Sequence, residues 1–253
     1  MRYKAYAKVN IFLKIVGIRG SYHEIKSRFI LVKNLFDVLS LTPKKTSDEF
    51  ELSGDFGCAL EQNTIYKAYV SLCEAGYKRE LKNIFDRYAL HVEKNIPSFA
   101  GLGGGSSDAA MFLHIANSKA NLNLNDEKLA EIGARVGADV PFFVYGYESA
   151  NVSGIGEVVE KFDEKALHVE VYTPEIKCDT GAIYRAFRED YEIDLKLAET
   201  MSKMSSVELL KKYSDLELND LLKPALRVNQ DLKKQRKKGW FFSGSGSSFF
   251  RTV

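Results

Sequence analysis

The stretch Pro97-Ser-Phe-Ala-Gly-Leu-Gly-Gly-Gly-Ser-Ser107 restricts the fold of this chain more than any other. Glycine occupies positions 101, 103, 104 and 105. Such a run removes side chains where the backbone must come close to something, and it admits positive φ. Ala89 to Lys94 alternates as a short strand before it, and an Ala-, Met-, Phe- and Leu-rich helix is expected from about Ser107 to Ala116 after it. A loop fixed this way receives the free N–H groups and positive dipole end of the helix, which suits an anion such as phosphate. A Walker loop needs Gly-Lys-Ser/Thr, whereas Ser106 follows Gly105 directly; a dinucleotide fingerprint from Gly101 would need glycine where Ser106 stands. The bland alternative is a flexible linker, but linkers are seldom locked between a strand and a helix.

The remaining pattern argues for an α+β chain. Near the N-terminus Ala5, Ala7, Val9, Ile11 and Leu13 share one parity, and Tyr6, Lys8, Asn10 and Phe12 the other. A strand with one apolar face would thus set Lys8 and Asn10 together on the opposite face. A turn at Arg19-Gly20-Ser21 leads towards a second strand, Phe29 to Leu41. A helix is expected over 63–75, capped by Asn63 or Thr64 and stopped at Gly76. Asn125 caps the next, which ends at Gly137, and Val140 to Tyr145 reads as a short apolar strand. Asn151 to Gly156 has the look of a hairpin. Charge rises from Glu157 to Lys165, which places a domain boundary near 155, with domains 1–155 and 156–253. The second part holds helical stretches near 180–190, 194–202, 205–213 and 223–238, then a strand, a glycine turn and a strand.

Net charge is +2, from 36 basic and 34 acidic residues, so no partner is selected by overall field. Cys58, Cys73 and Cys178 form no CxxC pair, and buried free thiols in a reducing compartment are expected. Lys4, Lys8 and Lys14 interrupt the apolar start, which makes a poor signal peptide, and no apolar run reaches a bilayer-spanning length of about 18 residues. A cytoplasmic chain is expected. Monomer and homodimer are both left open.

Two further segments carry candidate chemistry. Asp139, in Gly137-Ala-Asp-Val-Pro-Phe142, lies among small and apolar residues and needs a partner; a helix-terminating aspartate bonded to backbone is the alternative. Ser243-Gly-Ser-Gly-Ser-Ser-Phe249 is a second glycine turn, of a kind that hairpins use routinely.

Taken together, Ala7-Lys8-Val9-Asn10-Ile11-Phe12-Leu13, Tyr22-His23-Glu24, the 97–107 loop, Gly137 to Phe142 and Gly244 to Phe249 resemble the GHMP kinase superfamily over nearly the whole chain. The branch resembled acts on a cytidyl-tagged sugar alcohol of the non-mevalonate isoprenoid route. The resemblance implies a two-domain fold, with a ribosomal-protein-S5-like N-terminal domain and a ferredoxin-like C-terminal domain. It also implies ATP, Mg²⁺ and a small-molecule acceptor. By resemblance, Lys8 and Asp139 are catalytic and Asn10 contacts the acceptor. Tyr22 and His23 take the cytosine ring, with Tyr184 on its other face. Pro97, Ser98, Phe99, Ala100, Gly101, Leu102, Gly103, Gly104, Gly105, Ser106 and Ser107 hold ATP. The family usually has small residues, often glycine, where Phe99 and Ala100 stand, so Phe99 would narrow the nucleotide pocket or redirect the loop.

Phosphoryl transfer needs positioning and charge neutralisation above all. Loop amides would hold phosphates, Ser106 or Ser107 would reach Mg²⁺, Asp139 would accept the hydroxyl proton, and Lys8 would oppose the growing charge. Rival readings are a sibling kinase for mevalonate, homoserine or a sugar, and an RNA binder using Lys233, Lys234, Arg236, Lys237 and Lys238. Against the latter, the basic run closes a helix, where cations face the dipole favourably.

Overall fold

The computed structural model describes residues 1–44, 50–190 and 192–253. These residues form two compact units, each assembled from separate stretches of chain. The first contains Met1–Ala7, Lys33–Ser98 and Gly103–Gly146; the second contains Lys8–Val32, Phe99–Leu102 and Tyr147–Val253. Strand β1 (Arg2–Arg19) and strand β2 (Tyr22–Pro43) each contribute one end to each unit. Helices and sheets are thoroughly mixed, as α+β demands.

In the first unit, the far end of β2 pairs antiparallel with β4 (Tyr88–Glu93), and β3 (Leu52–Ser53) pairs parallel with β4. Helices α1 (Thr64–Leu72), α2 (Lys78–Phe85), α3 (Gly104–Lys119), α4 (Asp126–Val136) and α5 (Val140–Tyr145) complete it. Asn63 is the cap of α1, its side chain accepting from the Ile65 N–H at 2.8 Å. Asn125 caps α4 by accepting from Lys128 at 3.0 Å. Each cap satisfies a donor that the helix leaves orphaned. Buried Leu72, Phe85, Leu90, Phe112 and Leu113 form much of the core.

In the second unit, the near end of β2 pairs antiparallel with β5 (Ser149–Gly154), which pairs with β6 (Val158–Lys161). A three-stranded sheet has the order β7 (Val169–Tyr172), β9 (Phe249–Thr252), β8 (Phe241–Phe242). The helices are α6 (Thr180–Asp190), α7 (Leu195–Lys203), α8 (Ser206–Lys212), α9 (Asp215–Leu218), α10 (Leu222–Val228) and α11 (Leu232–Gln235). Its core gathers Leu13, Ile15, Ile183, Phe187, Leu222 and Phe242 among others. Arg28 is wholly buried here. It is held by Asn151 at 2.7 Å, Glu164 at 3.3 Å and the Ser202 carbonyl at 2.8 Å, with Phe162 against its guanidinium.

Several expectations need correction. Val140 to Tyr145 is a helix, not a strand: a six-residue apolar run does not distinguish the two by periodicity. Pro141 suits the first helical turn, and Gly146, in the left-handed region, ends it. Gly76, with φ 101°, kinks the chain without stopping it, and α2 begins two residues later. Helix α3 starts at Gly104, three residues ahead of expectation. The stretch 223–238 is broken at Asn229 into two short helices. All three cysteines are free, but only Cys178 is buried, while Cys58 is exposed and Cys73 half-buried. No helix among the described residues is long and apolar enough to cross a membrane.

Candidate active site

The first unit contributes the start of α3. Gly103 is its N-cap, left-handed at φ 72°, a conformation that a Cβ would disfavour. Among the described residues no side chain caps this helix, so its leading N–H groups are left without a side-chain acceptor, as at the helix ends that bind anions. Thr64 closes one side by donating to the Gly105 carbonyl at 2.6 Å. Behind the first turn, Lys94 is paired with both Asp37 and Asp108. Asp37 also accepts from the Ile96 N–H at 2.8 Å. The two ends of the glycine loop are thus tied to one buried ion cluster. Asp108 is pushed up to about 7, chiefly by burial, with Lys94 opposing the shift. Its Oδ1 has no hydrogen-bond partner among the described residues.

Asp139 sits on the same unit at the junction of α4 and α5. Gly133 lets the two helices close up: a Cβ there would come within 2.7 Å of Val140. Asp139 is half-buried and occupies the N-cap position of α5 without its side chain capping that helix. A Cβ at Gly137 would stand 3.8 Å from the Ser106 hydroxyl, so the Gly137–Asp139 backbone adjoins the start of α3. Ser106 is half-buried and Ser107 buried, its N–H donating to Gly103 at 2.9 Å.

The second unit contributes a polar cluster on β1. Lys8 and Asn10 do share a face, but that face is enclosed: they are 3% and 2% exposed. Lys8 Nζ donates to Asn10 Oδ1 at 2.7 Å and to the Gly101 carbonyl at 3.1 Å, and lies 4.5 Å over the Phe29 ring. Asn10 Nδ2 donates to Ser27 Oγ at 3.0 Å, and the Ser27 hydroxyl donates to the Phe12 carbonyl. Ser243 Oγ accepts from the Asn10 N–H at 3.2 Å and donates to the Gly101 carbonyl at 3.1 Å. Each polar atom therefore finds a partner, as burial requires. Ser27 and Ser243 were not foreseen; small hydroxyls separated by more than two hundred residues carry no local signal.

The same unit holds the Phe99–Leu102 part of the glycine loop. Lys8 N–H donates to the Leu102 carbonyl at 2.9 Å, and Ser248 N–H to the Ala100 carbonyl at 3.1 Å. A Cβ on Gly101, at φ 73°, would overlap the Ser243 carbonyl oxygen. Phe99 has φ 55° and a largely exposed ring, while Ala100 is buried. A left-handed Phe is uncommon, and glycine is the residue such a backbone favours. Pro97 and Ser98, at the loop's first-unit end, are exposed.

His23 is buried at the β1–β2 turn, and Tyr22 beside it is 62% exposed. Tyr184 and Phe187 of α6 meet the imidazole with centroids 4.8 Å and 6.2 Å away. Tyr184 therefore packs on His23 directly. Arg188, one turn after Tyr184, donates from Nε to His23 Nε2 at 3.0 Å. It too was missed, because nothing local in the sequence joins residues 165 apart.

The basic run is largely committed elsewhere. Lys234 pairs with Asp231 at 2.8 Å, Arg236 grips Asp215 at 2.8 Å, and Lys237 lies 3.6 Å over Tyr172.

Residues 63–147, which include the uncapped, glycine-led start of α3 and Asp139, match the model described as GHMP kinases N terminal domain. A curated relative from Sulfurimonas denitrificans, named 4-diphosphocytidyl-2-C-methyl-D-erythritol kinase, is 54% identical over 98% of this chain and 96% of its own. One of the same name from Helicobacter pylori is 44% identical over 98% of this chain and 93% of its own. The chain belongs to the family of 4-diphosphocytidyl-2-C-methyl-D-erythritol kinases. A crystal structure of a 4-(cytidine 5'-diphospho)-2C-methyl-D-erythritol kinase superposes with TM-score 0.76 at 31% identity, covering 100% of this chain and 90% of that one. The Methanococcus jannaschii mevalonate kinase matches at TM-score 0.64 and 15% identity, over 100% and 90% of the two chains, and shares the fold alone.

Proposed function

We propose that this chain transfers the γ-phosphate of ATP to the 2-hydroxyl of 4-diphosphocytidyl-2-C-methyl-D-erythritol, a phosphotransferase step with an alcohol as acceptor in the non-mevalonate route to isoprenoids. Family membership over the whole length carries this reading. The geometry adds the means. The α3 N-terminus and residues 97–107 receive the triphosphate through backbone N–H groups. Asp139 takes the proton of the attacking hydroxyl. Lys8, held by Asn10 and the Gly101 carbonyl, opposes the charge that develops on the transferred group. Asn10 orients the acceptor, while Tyr22, His23 and Tyr184 bind its cytosine. On this division residues 1–155 hold the nucleotide and most of the acceptor contacts, and 156–253 add Tyr184 to the acceptor side.

Mg²⁺ fits as a companion of the nucleotide. Among the described residues no group of three His, Cys, Asp or Glu could hold a metal. The hydroxyl of Ser106 or Ser107 together with phosphate oxygens and water is the kind of oxygen set Mg²⁺ accepts. There the ion would neutralise phosphate charge. The working setting is the cytoplasm with a small-molecule substrate, and no nucleic-acid partner enters this reading.

The test is ADP release with 4-diphosphocytidyl-2-C-methyl-D-erythritol, mevalonate, homoserine and galactose as acceptors, each with and without Mg²⁺. The cytidyl acceptor is expected to be turned over with the highest kcat/KM, and only with Mg²⁺. Preference for any other acceptor would overturn the substrate assignment.

A further inference from the structure

Arg188 uses its guanidinium to organise the His23 corner. Besides the bond to His23 Nε2, its Nη2 donates to the Gly20 and Tyr22 carbonyls, both at 3.3 Å. A guanidinium offers donors only and stays protonated throughout the working pH range. His23 Nε2 must therefore present its lone pair. A neutral imidazole carries one N–H, so that proton resides on Nδ1. Protonating Nε2 as well would set N–H against N–H, and burial together with the Arg188 charge holds His23 below the usual histidine range. Tyr184 and Phe187 fix the ring by packing. Among the described residues the His23 ring makes its one hydrogen bond through Nε2. The Nδ1–H is available to a ligand.

We infer that Arg188 is a positioning residue for specificity: it locks His23 in the Nδ1–H tautomer and so makes the imidazole a fixed donor to a cytosine ring. This rests on the cytidyl reading above. The pairing edge of cytosine offers N3 and O2 as acceptors, whereas uracil carries a proton on N3. A fixed donor meets the cytosine N3 lone pair and opposes the uracil N3–H. A site that leaves a polar group unpaired against the wrong ligand discriminates far better than one relying on shape. Without Arg188 the imidazole is free to move its proton to Nε2 and offer Nδ1 as an acceptor, which suits uracil.

The test combines nitrogen NMR of the histidine rings, with His23 assigned through His23→Asn, and kinetics on the cytidyl acceptor and its uridyl counterpart. Wild type, Arg188→Met and Arg188→Lys are compared. Wild-type Nε2 should give the signal of an unprotonated ring nitrogen. Arg188→Met should raise KM for the cytidyl acceptor about tenfold and cut the cytidyl-over-uridyl preference about tenfold, with kcat and KM for ATP within about twofold. Arg188→Lys, which restores a donor, should recover part of that preference. A protonated Nε2 in the wild type overturns the proposal, as does an unchanged cytidyl-over-uridyl ratio in folded Arg188→Met. If Arg188→Met does not fold, the wild-type spectrum and Arg188→Lys decide. Lack of turnover with any cytidyl acceptor would sink the functional reading instead, and the spectrum would still decide the tautomer.

Discussion

The glycine run serves two different purposes in the two units. In the first, Gly104 is seated against Ile96, whereas Gly105 is exposed with only the Thr64 side chain near its missing Cβ. In the second, Gly101 is crowded by the backbone of Ser243 and Gly246, so its side chain is absent because protein already fills the space. Glycine density in a sequence signals close approach without saying whether a ligand or another strand of the same chain approaches. The contrast extends to the polar groups. The first unit presents backbone donors at the start of α3, whereas β1 of the second presents side chains already committed to one another.

The largest effect expected falls on the chemistry rather than on either backbone. Asp139→Asn should lower kcat by at least about a hundredfold while leaving the fold intact, as loss of a general base does. Near-normal steady-state turnover would remove Asp139 from the proposed role. Gly101→Ala should come next, as a stability change: left-handed φ and overlap with a carbonyl together cost on the order of 2–3 kcal/mol in urea unfolding. An unchanged unfolding midpoint would erase the distinction drawn between the two glycine sets. Gly105→Ala is its counterpart. Stability should move by no more than about 0.5 kcal/mol, because the helix gain offsets contact with Thr64, while KM for ATP rises about tenfold.

The remaining effect concerns the ion cluster behind α3. Because the folded-state pKa of Asp108 lies above its unfolded value, the native state binds the proton more tightly. Its contribution is therefore greatest in acid and is lost as pH rises from about 4 to about 7. Asp108→Asn should flatten that part of the profile of unfolding free energy against pH. A profile parallel to wild type would mean that Asp108 titrates as it does in the unfolded chain.

What the sequence discloses follows the range of the forces involved. The glycine loop, the alternation of β1 and the caps at Asn63 and Asn125 are local, and each is legible from a few neighbouring residues. The paired placement of Lys8 and Asn10 followed from strand parity alone. Their enclosure did not, because it depends on Ser27, Ser243 and Gly101, which lie far along the chain. Arg188 was invisible for the same reason. Helix α5 escapes the sequence pattern because Val140 to Tyr145 is too short to show a period, although Pro141 suits a first helical turn. The cysteines show a limit of composition: a thiol count excluded a disulfide framework but said nothing about which thiol reaches solvent.

The tight seat of Gly101 against the Ser243 carbonyl also governs how chains of this kind can diverge. A side chain at 101 becomes tolerable only after the late turn has shifted outward, and that shift would release the Ser243 hydroxyl from Asn10. Descendants should therefore inherit position 101 and the 243–246 turn as a matched set. Grafting either one alone from a distant relative should fail where exchanging both succeeds.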